Sequence, residues 1–441
     1  MGRASSTKML RLLMNGEDVG NWTVRPNGMH EFGYTASWLT LPHARPISLS
    51  MPLRTEPYRG EAVYAYFDNL LPNNDQIRRR IQNRFAAGGI DPFSLLQETG
   101  RDCVGAIQLL APNDTGEDIR TIRATALDPA GIASLCNNTT RDAAFGKREQ
   151  AGDEFRISLS GAKEKTALLF HEGRWMIPHG TTPSTHILKL PLGTIGQNHI
   201  NMDLSIENEW LSLKILEAYG IPVAKATIET FSDVKSLVVE RFDRKPSREG
   251  DWIMRLPQED LCQATGTPPW QKYESDGGPG IEAIMQLLLG SARAEDDRKL
   301  FFQIQVAFFL LAAIDGHAKN FSIFLGPTGT FHLTPLYDTL SAFPVIGNGR
   351  NQLPPGEITM AMALWGKSRV YRWANMTRRH FITTARSCGL TGRAAETIID
   401  DMLQRTPQVL MDTARQLPSG FPESVAGAIF DGVEQSQERI G

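Results

Sequence analysis

The most apolar stretch of the chain, Val306 to Ile314, runs without a break into Asp315-Gly316-His317-Ala318-Lys319-Asn320. An apolar helix ending in such a segment delivers an acid and an amide, five residues apart, to the rim of a hydrophobic core. The next residues narrow the fold further. Phe321 to Leu325 and Phe331 to Leu333 read as strands around Gly326-Pro327-Thr328-Gly329, and the return strand leads to Tyr337-Asp338. A hairpin there brings Asp338 back beside Asn320. At nine residues the apolar stretch falls well short of the roughly 20 needed to cross a bilayer, so it belongs in a globular core.

Phosphoryl transfer needs a carboxylate to accept the proton of the attacking hydroxyl. It also needs an amide oxygen and a second carboxylate to hold magnesium against the phosphates. Asp315, Asn320 and Asp338 meet these needs in order and spacing. An Asp and an Asn five apart also arise as turn caps, but the hairpin return to Asp338 is independent of that spacing and favours the metal-site reading. A kinase further needs a strand lysine for the phosphates, and Thr185-His186-Ile187-Leu188-Lys189-Leu190-Pro191 places Lys189 inside an apolar strand. Lysine is rarely buried without a partner. The alternative is an edge-strand lysine reaching to water. Upstream, Ser158-Leu159-Ser160-Gly161-Ala162-Lys163-Glu164-Lys165 joins two strand candidates through small residues, whose backbone N–H groups can approach phosphate. It matches neither common glycine-rich phosphate motif, and as a bare motif it reads as a strand turn.

A length of 441 residues suggests two to four structural units. Apolar residues at 41% and charged residues at 22% exclude a disordered or fibrous chain. Forty-six Lys and Arg against 49 Asp and Glu leave a net charge of −3, which gives no global field for nucleic acid. Cys103, Cys136, Cys262 and Cys388 form no C-x-x-C pair, so reduced thiols are expected. The polar start, Met1 to Lys8, lacks a signal-peptide core, and a cytoplasmic protein is expected with no membrane contact.

The organisation reads as an N-terminal α/β unit over 1–111, opening as a meander around Asn15-Gly16 and Asn27-Gly28. Helical spacing follows at Ala62 to Leu71, Asp75 to Phe85 and Pro92 to Glu98, then a strand over Cys103 to Leu110. Residues 112–153 read as a polar linker with one helix after Asp128-Pro129. Nucleotide-binding strands, phosphate loop and hinge are expected over 154–280. Residues 281–441 are expected to be helical, apart from the one hairpin, with a helix from Trp373 to Ser387.

Blocks along the chain carry a resemblance. They include Phe155-Arg156-Ile157-Ser158 with Gly161-Ala162, His186-Ile187-Leu188-Lys189-Leu190-Pro191, Val239-Glu240-Arg241-Phe242-Asp243-Arg244 and Arg255-Leu256-Pro257-Gln258-Glu259-Asp260. Lys272-Tyr273-Glu274-Ser275-Asp276-Gly277-Gly278-Pro279-Gly280 and Asp315-Gly316-His317-Ala318-Lys319-Asn320-Phe321 continue the series, with Phe67-Asp68-Asn69-Leu70-Leu71-Pro72 and Gly100-Arg101-Asp102 in the first unit. In this order they resemble the HipA family, toxin kinases of bacterial HipBA toxin–antitoxin modules.

The resemblance implies an α+β, bilobal, protein-kinase-like (lipid-kinase-like) fold with a small N-terminal α/β subdomain and a mostly helical C-terminal subdomain. It implies a Ser/Thr protein kinase using ATP and Mg²⁺, partnered by a HipB-like helix-turn-helix antitoxin on operator DNA, with glutamate–tRNA ligase as the family's target. Asp315 is then the catalytic base, Asn320 and Asp338 the magnesium ligands and Lys189 the phosphate lysine. The ATP site comprises the loop residues Ser160, Gly161, Ala162, Lys163, Glu164 and Lys165, the hinge residues Glu240, Arg241 and Phe242, and Gln258, His317 and Tyr337. Ser158 falls on the family's autophosphorylated serine. Arg378 and Arg379 lie in a basic cluster that a solvated helix face explains better on sequence alone, and DNA contact rests only on the family's habit. Two other readings stand beside this one: a small-molecule or lipid kinase, and a non-catalytic co-repressor that keeps the kinase shape.

Overall fold

A computed structural model describes residues 7–114, 119–140, 165–196 and 199–441. The first unit opens as β1 (Lys8–Met14), β2 (Glu17–Val24) and β3 (His30–Tyr34). Asn15 and Gly16 both take positive φ, 47° and 86°, the turn whose twist matches that of the strands it joins. Then come α1 (Ala36–Leu39), β4 (Tyr58–Arg59), α2 (Glu61–Asp68), α3 (Asp75–Phe85), α4 (Pro92–Thr99) and β5 (Ile107–Leu110). The sheet is antiparallel in the order β4-β3-β2-β1-β5. Asn74 caps α3 by accepting the Gln76 amide at 2.8 Å, and Asp91 caps α4 by accepting the Ser94 amide at 3.0 Å. This unit has its own core, in which Trp22 stacks on Phe67 with centroids 3.8 Å apart.

The middle of the chain contributes β6 (Ala124–Ala126), α5 (Pro129–Thr140), β7 (Lys165–His171), β8 (Arg174–Pro178), β9 (His186–Lys189), β10 (Thr194–Ile195), β11 (Ile200–Asn201) and α6 (Ser205–Ala218). It continues with β12 (Ala226–Phe231), β13 (Val234–Glu240), β14 (Arg244–Pro246), β15 (Ile253–Arg255), β16 (Gln258–Asp260) and α7 (Leu261–Ala264). Six strands pair in the order β12-β13-β9-β7-β8-β6. Because β9 lies between β13 and β7, Lys189 is on an interior strand, which removes the edge-lysine alternative.

The last part holds α8 (Ile281–Leu287), α9 (Ala294–Leu310), β17 (Ser322–Leu325), β18 (Phe331–Leu333), β19 (Thr359–Trp365), β20 (Arg369–Arg372), α10 (Arg378–Ser387), α11 (Gly392–Ala414) and α12 (Glu423–Ile440). It packs the largest core, centred on α9, with Phe301, Phe302, Phe308 and Phe309 all buried. No helix among the described residues is long and apolar enough to cross a membrane.

Three expectations need correction. The last part contains a second ribbon, β19 with β20, besides the expected hairpin. Met360 to Leu364 are all buried, so the run shows no alternation, and a short apolar run reads equally as helix or strand. The expected helix from Trp373 starts only at Arg378, after a 3₁₀ turn over Trp373–Asn375 and a capping box at Thr377. The strand expected from Cys103 begins at Ile107, because the Cys103 carbonyl accepts from Arg241 and Arg244 while the Gly105 amide donates to Asp243.

Candidate active site

Helix α9 ends where Ala312 takes a φ of 45°, and the amides of Ala312 and Ala313 reach back to Phe309 and Phe308 at 3.1 and 2.8 Å. That close turn throws Asp315 out of the core, and its side chain is 49% exposed. The Tyr273 hydroxyl donates to Asp315 Oδ1, and His317 Nε2 lies 3.7 Å from the same oxygen. Asn320 Nδ2 donates to the Asp315 carbonyl at 2.8 Å and to the Asp338 carbonyl at 3.3 Å. Its nitrogen is therefore tied to backbone, which keeps the amide oxygen for a cation. The hairpin does return Asp338 to Asn320, and Asp338 sits at a φ of 56°. A non-glycine residue held there stores backbone strain, of order 1–3 kcal/mol, of the kind that collects at functional sites.

Lys189 is buried, with Nζ 2.5 Å from Glu209 Oε1 and 2.9 Å from Asp338 Oδ1. Burial alone would lower its pKa, but the Asp338 and Glu209 carboxylates outweigh that and hold it above the usual lysine range. The sequence reading missed Glu209. Helix α6 buries Glu207, Asn208 and Glu209 in succession, and nothing in an ordinary helical acid announces such burial. The lysine–glutamate pair between strand and helix is the arrangement a kinase requires.

Asp315, Asn320, Asp338 and Lys189 line an open cleft of about 960 Å³ together with Ile187, Val239, Glu240, Phe242, Gln258, His317 and Tyr337. Gln258 Oε1 and His317 Nδ1 are buried there without a hydrogen-bond partner among the described residues, so both are positions for a ligand to satisfy. Burial pushes the His317 imidazole down to about 4, against the opposing pull of Asp315, so it is neutral at pH 7. Phe242 packs against Tyr337 and Phe324, both at 5.8 Å. The Tyr337 hydroxyl donates to the Lys319 carbonyl at 2.9 Å, and Lys319 is itself buried on Asn69 Oδ1 and Asp260 Oδ2, both at 2.7 Å.

The Arg241 side chain serves the fold: its guanidinium is buried against Asp102, Asp243, Ser184 and the Cys103 carbonyl, and its amide donates to Thr185, which anchors the chain between β13 and β14. Lys165 lines the cleft. Ser158 and the loop residues Ser160, Gly161, Ala162, Lys163 and Glu164 lie outside the described residues. Far from the cleft, Arg378 pairs with Asp400 at 2.5 Å, while Arg379 is exposed.

Comparison with known proteins follows the same outline. One family description, HipA N-terminal domain, matches residues 10–110, and another, HipA-like C-terminal domain, matches residues 157–410, more than half of the chain. The chain belongs to the HipA family. A relative named "Putative kinase Y4mE", from Sinorhizobium fredii, is 31% identical over 446 residues, covering 96% of this chain and 98% of its own. The Serine/threonine-protein kinase toxin HipA of Shewanella oneidensis is 26% identical over 340 residues, 75% of this chain and 73% of that protein. The solved complex of Shewanella oneidensis HipA with HipB and its operator DNA superposes with a TM-score of 0.79 at 21% identity, over 98% of this chain and 97% of that one. The expected α+β, bilobal, kinase-like fold is thereby shown, and this HipA-family protein is, at the level of class, a kinase.

Among the described residues no cluster of three or more His, Cys, Asp or Glu is built to hold a metal by itself. Asn320 and Asp338 supply one amide and one carboxylate. That set suits magnesium, which takes one or two carboxylates and completes its shell with substrate phosphates and water.

Proposed function

We propose that this HipA-family kinase is a Ser/Thr protein kinase, the toxin of a type II toxin–antitoxin module, which transfers the γ-phosphate of Mg-ATP to a protein. By family resemblance that protein is glutamate–tRNA ligase, so translation and growth stop. The chain would then act with a HipB-like antitoxin as an operator-binding repressor. In this reading 1–111 is the N-terminal subdomain, 112–153 a linker, 154–280 the nucleotide-binding part and 281–441 the helical catalytic part. The observation that carries it is the convergence of Asp315, Asn320, Asp338 and the Lys189–Glu209 pair on one cleft.

Each group has a task. Asp315 is exposed enough to meet a substrate hydroxyl and to take its proton as the oxygen attacks phosphorus. Lys189, held by Glu209, presents its charge to the phosphates. Phe242, Tyr337, Val239 and Ile187 offer the apolar slot for the base, with Gln258 Oε1 as a buried acceptor for an amino group. Magnesium, when held by Asn320 and Asp338, would neutralise charge on the transferring phosphoryl group.

Two measurements test the reading. Incubated with Mg-ATP, the purified protein gains one phosphate on Ser158, detected by intact-mass and peptide analysis, and the Asp315→Asn variant gains none. Finding the phosphate elsewhere would refute the Ser158 assignment. Phosphate on a metabolite and on no protein would favour the small-molecule kinase. Second, expression of the wild-type chain arrests bacterial growth unless a small helix-turn-helix partner is co-expressed, and Lys189→Ala lifts the arrest. A wild-type chain that is harmless in its own host without any such partner would move the co-repressor reading ahead.

A further inference from the structure

Four more cationic residues line the cleft besides Lys189: Lys165, Arg241, Lys272 and Lys319. Lys189 is spent on Glu209 and Asp338, Arg241 on Asp102 and Asp243, and Lys319 on Asn69 and Asp260. Lys165 also has a partner. Lys272 differs. Its half-buried ammonium has no hydrogen-bonded or ion-paired acceptor among the described residues, and it lies 5.0 Å from the centroid of the Tyr273 ring. Burial holds it below the usual lysine range, with the Asp315 carboxylate pulling it back up.

The segment around Lys272 is fixed to the catalytic loop. The Lys272 carbonyl accepts the Ala318 amide at 3.4 Å, the Tyr273 hydroxyl holds Asp315, and the Tyr273 ring meets His317 edge-on at 5.0 Å. The ribbon that sequence reading missed secures the other side: Glu274 accepts the Ala363 amide of β19 at 2.6 Å and pairs with Arg369 of β20 at 3.0 Å. Gly278 closes the turn, where a Cβ would lie 2.0 Å from the Gln271 carbonyl oxygen. Such anchoring is unneeded for a solvated lysine.

We infer that Lys272 is a second catalytic cation, donating N–H to the phosphoryl group during transfer. The inference rests on the phosphotransfer reading above. In the step, the substrate hydroxyl oxygen bonds to the γ-phosphorus, the bond from that phosphorus to the bridging oxygen breaks with its electron pair leaving on ADP, and the hydroxyl proton passes to Asp315. Lys272 keeps its own protons and stabilises the negative oxygens between the two bonds. Lys272 shares the cleft wall with Asp315 and keeps its N–H groups free of any carboxylate among the described residues, whereas Lys189 is bound to Asp338 and Glu209.

The test compares Lys272→Met and Lys272→Arg with wild type, measuring ADP release, phosphoprotein formation and Mg-ATP affinity by calorimetry. Lys272→Met should lower turnover about 100-fold, the scale seen when one transition-state donor is removed. Its ATP affinity should stay within about threefold, and Lys272→Arg should recover a substantial part of the rate. A structural role would not give rescue by arginine at constant affinity. Unchanged turnover in Lys272→Met, or an affinity loss as large as the rate loss, would overturn the inference while leaving the kinase reading intact. Wild-type protein that binds Mg-ATP and transfers no phosphate would overturn both. Should the Met variant fail to fold, Lys272→Gln with a wild-type melting temperature gives the same decision.

Discussion

Asp315→Asn lowers phosphoryl transfer by about 10² to 10⁴ while Mg-ATP affinity stays near that of the wild type. The substitution keeps an oxygen to accept the Tyr273 hydroxyl and leaves the main-chain carbonyl that anchors Asn320, so the loop keeps its shape. Lys189, Glu209, Asp338 and the apolar slot are untouched, and in the proposed function these bind the nucleotide. What disappears is an anionic oxygen able to take a proton, a loss of about 3 to 5 kcal/mol of transition-state stabilisation. The measurement is single-turnover phosphate transfer beside calorimetric ATP binding. The nearest other base is His317, kept neutral by burial with Nε2 3.7 Å from Asp315. Turnover that survives Asp315→Asn and vanishes when His317→Asn is added would transfer the role to the histidine.

How much of this was legible in the sequence depends on where each contact's energy lies. Asn320 meets Asp338 across a hairpin, and pairing of β17 with β18 is local, so spacing alone predicts the encounter. The Lys189–Glu209 pair spans a similar distance in sequence yet stayed hidden. It joins an interior strand to a helix buried on most sides, and which helical acid turns inward is decided by tertiary packing. The ribbon of β19 and β20 was lost for a related reason, since burial on both faces erases the alternation that marks a strand. The structural task of the Arg241 side chain was hidden for the same reason. In the fold two of its partners, Asp102 and the Cys103 carbonyl, come from about 140 positions away.

That buried network yields the largest expected change in stability. Asp102 accepts from Arg241 at 3.3 Å, Arg244 at 2.9 Å, Arg255 at 3.3 Å and both the amide and hydroxyl of Ser184 at 3.0 and 2.6 Å. Each charged member is at most 5% exposed. Asp243 is the second anion, on Arg241 and Arg244 and on the Gly105 amide at 2.7 Å. Gly105 is required there: its φ is +76°, and a Cβ would lie 2.6 Å from the Gln258 carbonyl oxygen. Removing Asp102 leaves Arg241 and Arg244 on the Asp243 carboxylate and leaves Arg255 with the Thr181 carbonyl in place of an anion, and breaking a buried ionic cluster from one side costs about 3–5 kcal/mol. Against a total of roughly 5–15 kcal/mol, Asp102→Ala is expected to lower the urea midpoint sharply, where Ser184→Ala, losing neutral hydrogen bonds, costs about 1 kcal/mol. Acid gives an independent check. Burial alone would raise the Asp102 pKa, but Arg244, Arg241 and Arg255 overcome it and hold the carboxyl well below its ordinary value. A depressed folded pKa means that the stabilisation is full above the unfolded value, near 4, and is lost as pH falls below it, so the wild type loses stability there and Asp102→Ala loses less. Since Arg241 directly precedes Phe242, the same variant should weaken ATP binding although Asp102 does not line the cleft. A loss under about 1 kcal/mol in urea, with an unchanged acid profile, would show that the three arginines do not depend on this carboxylate.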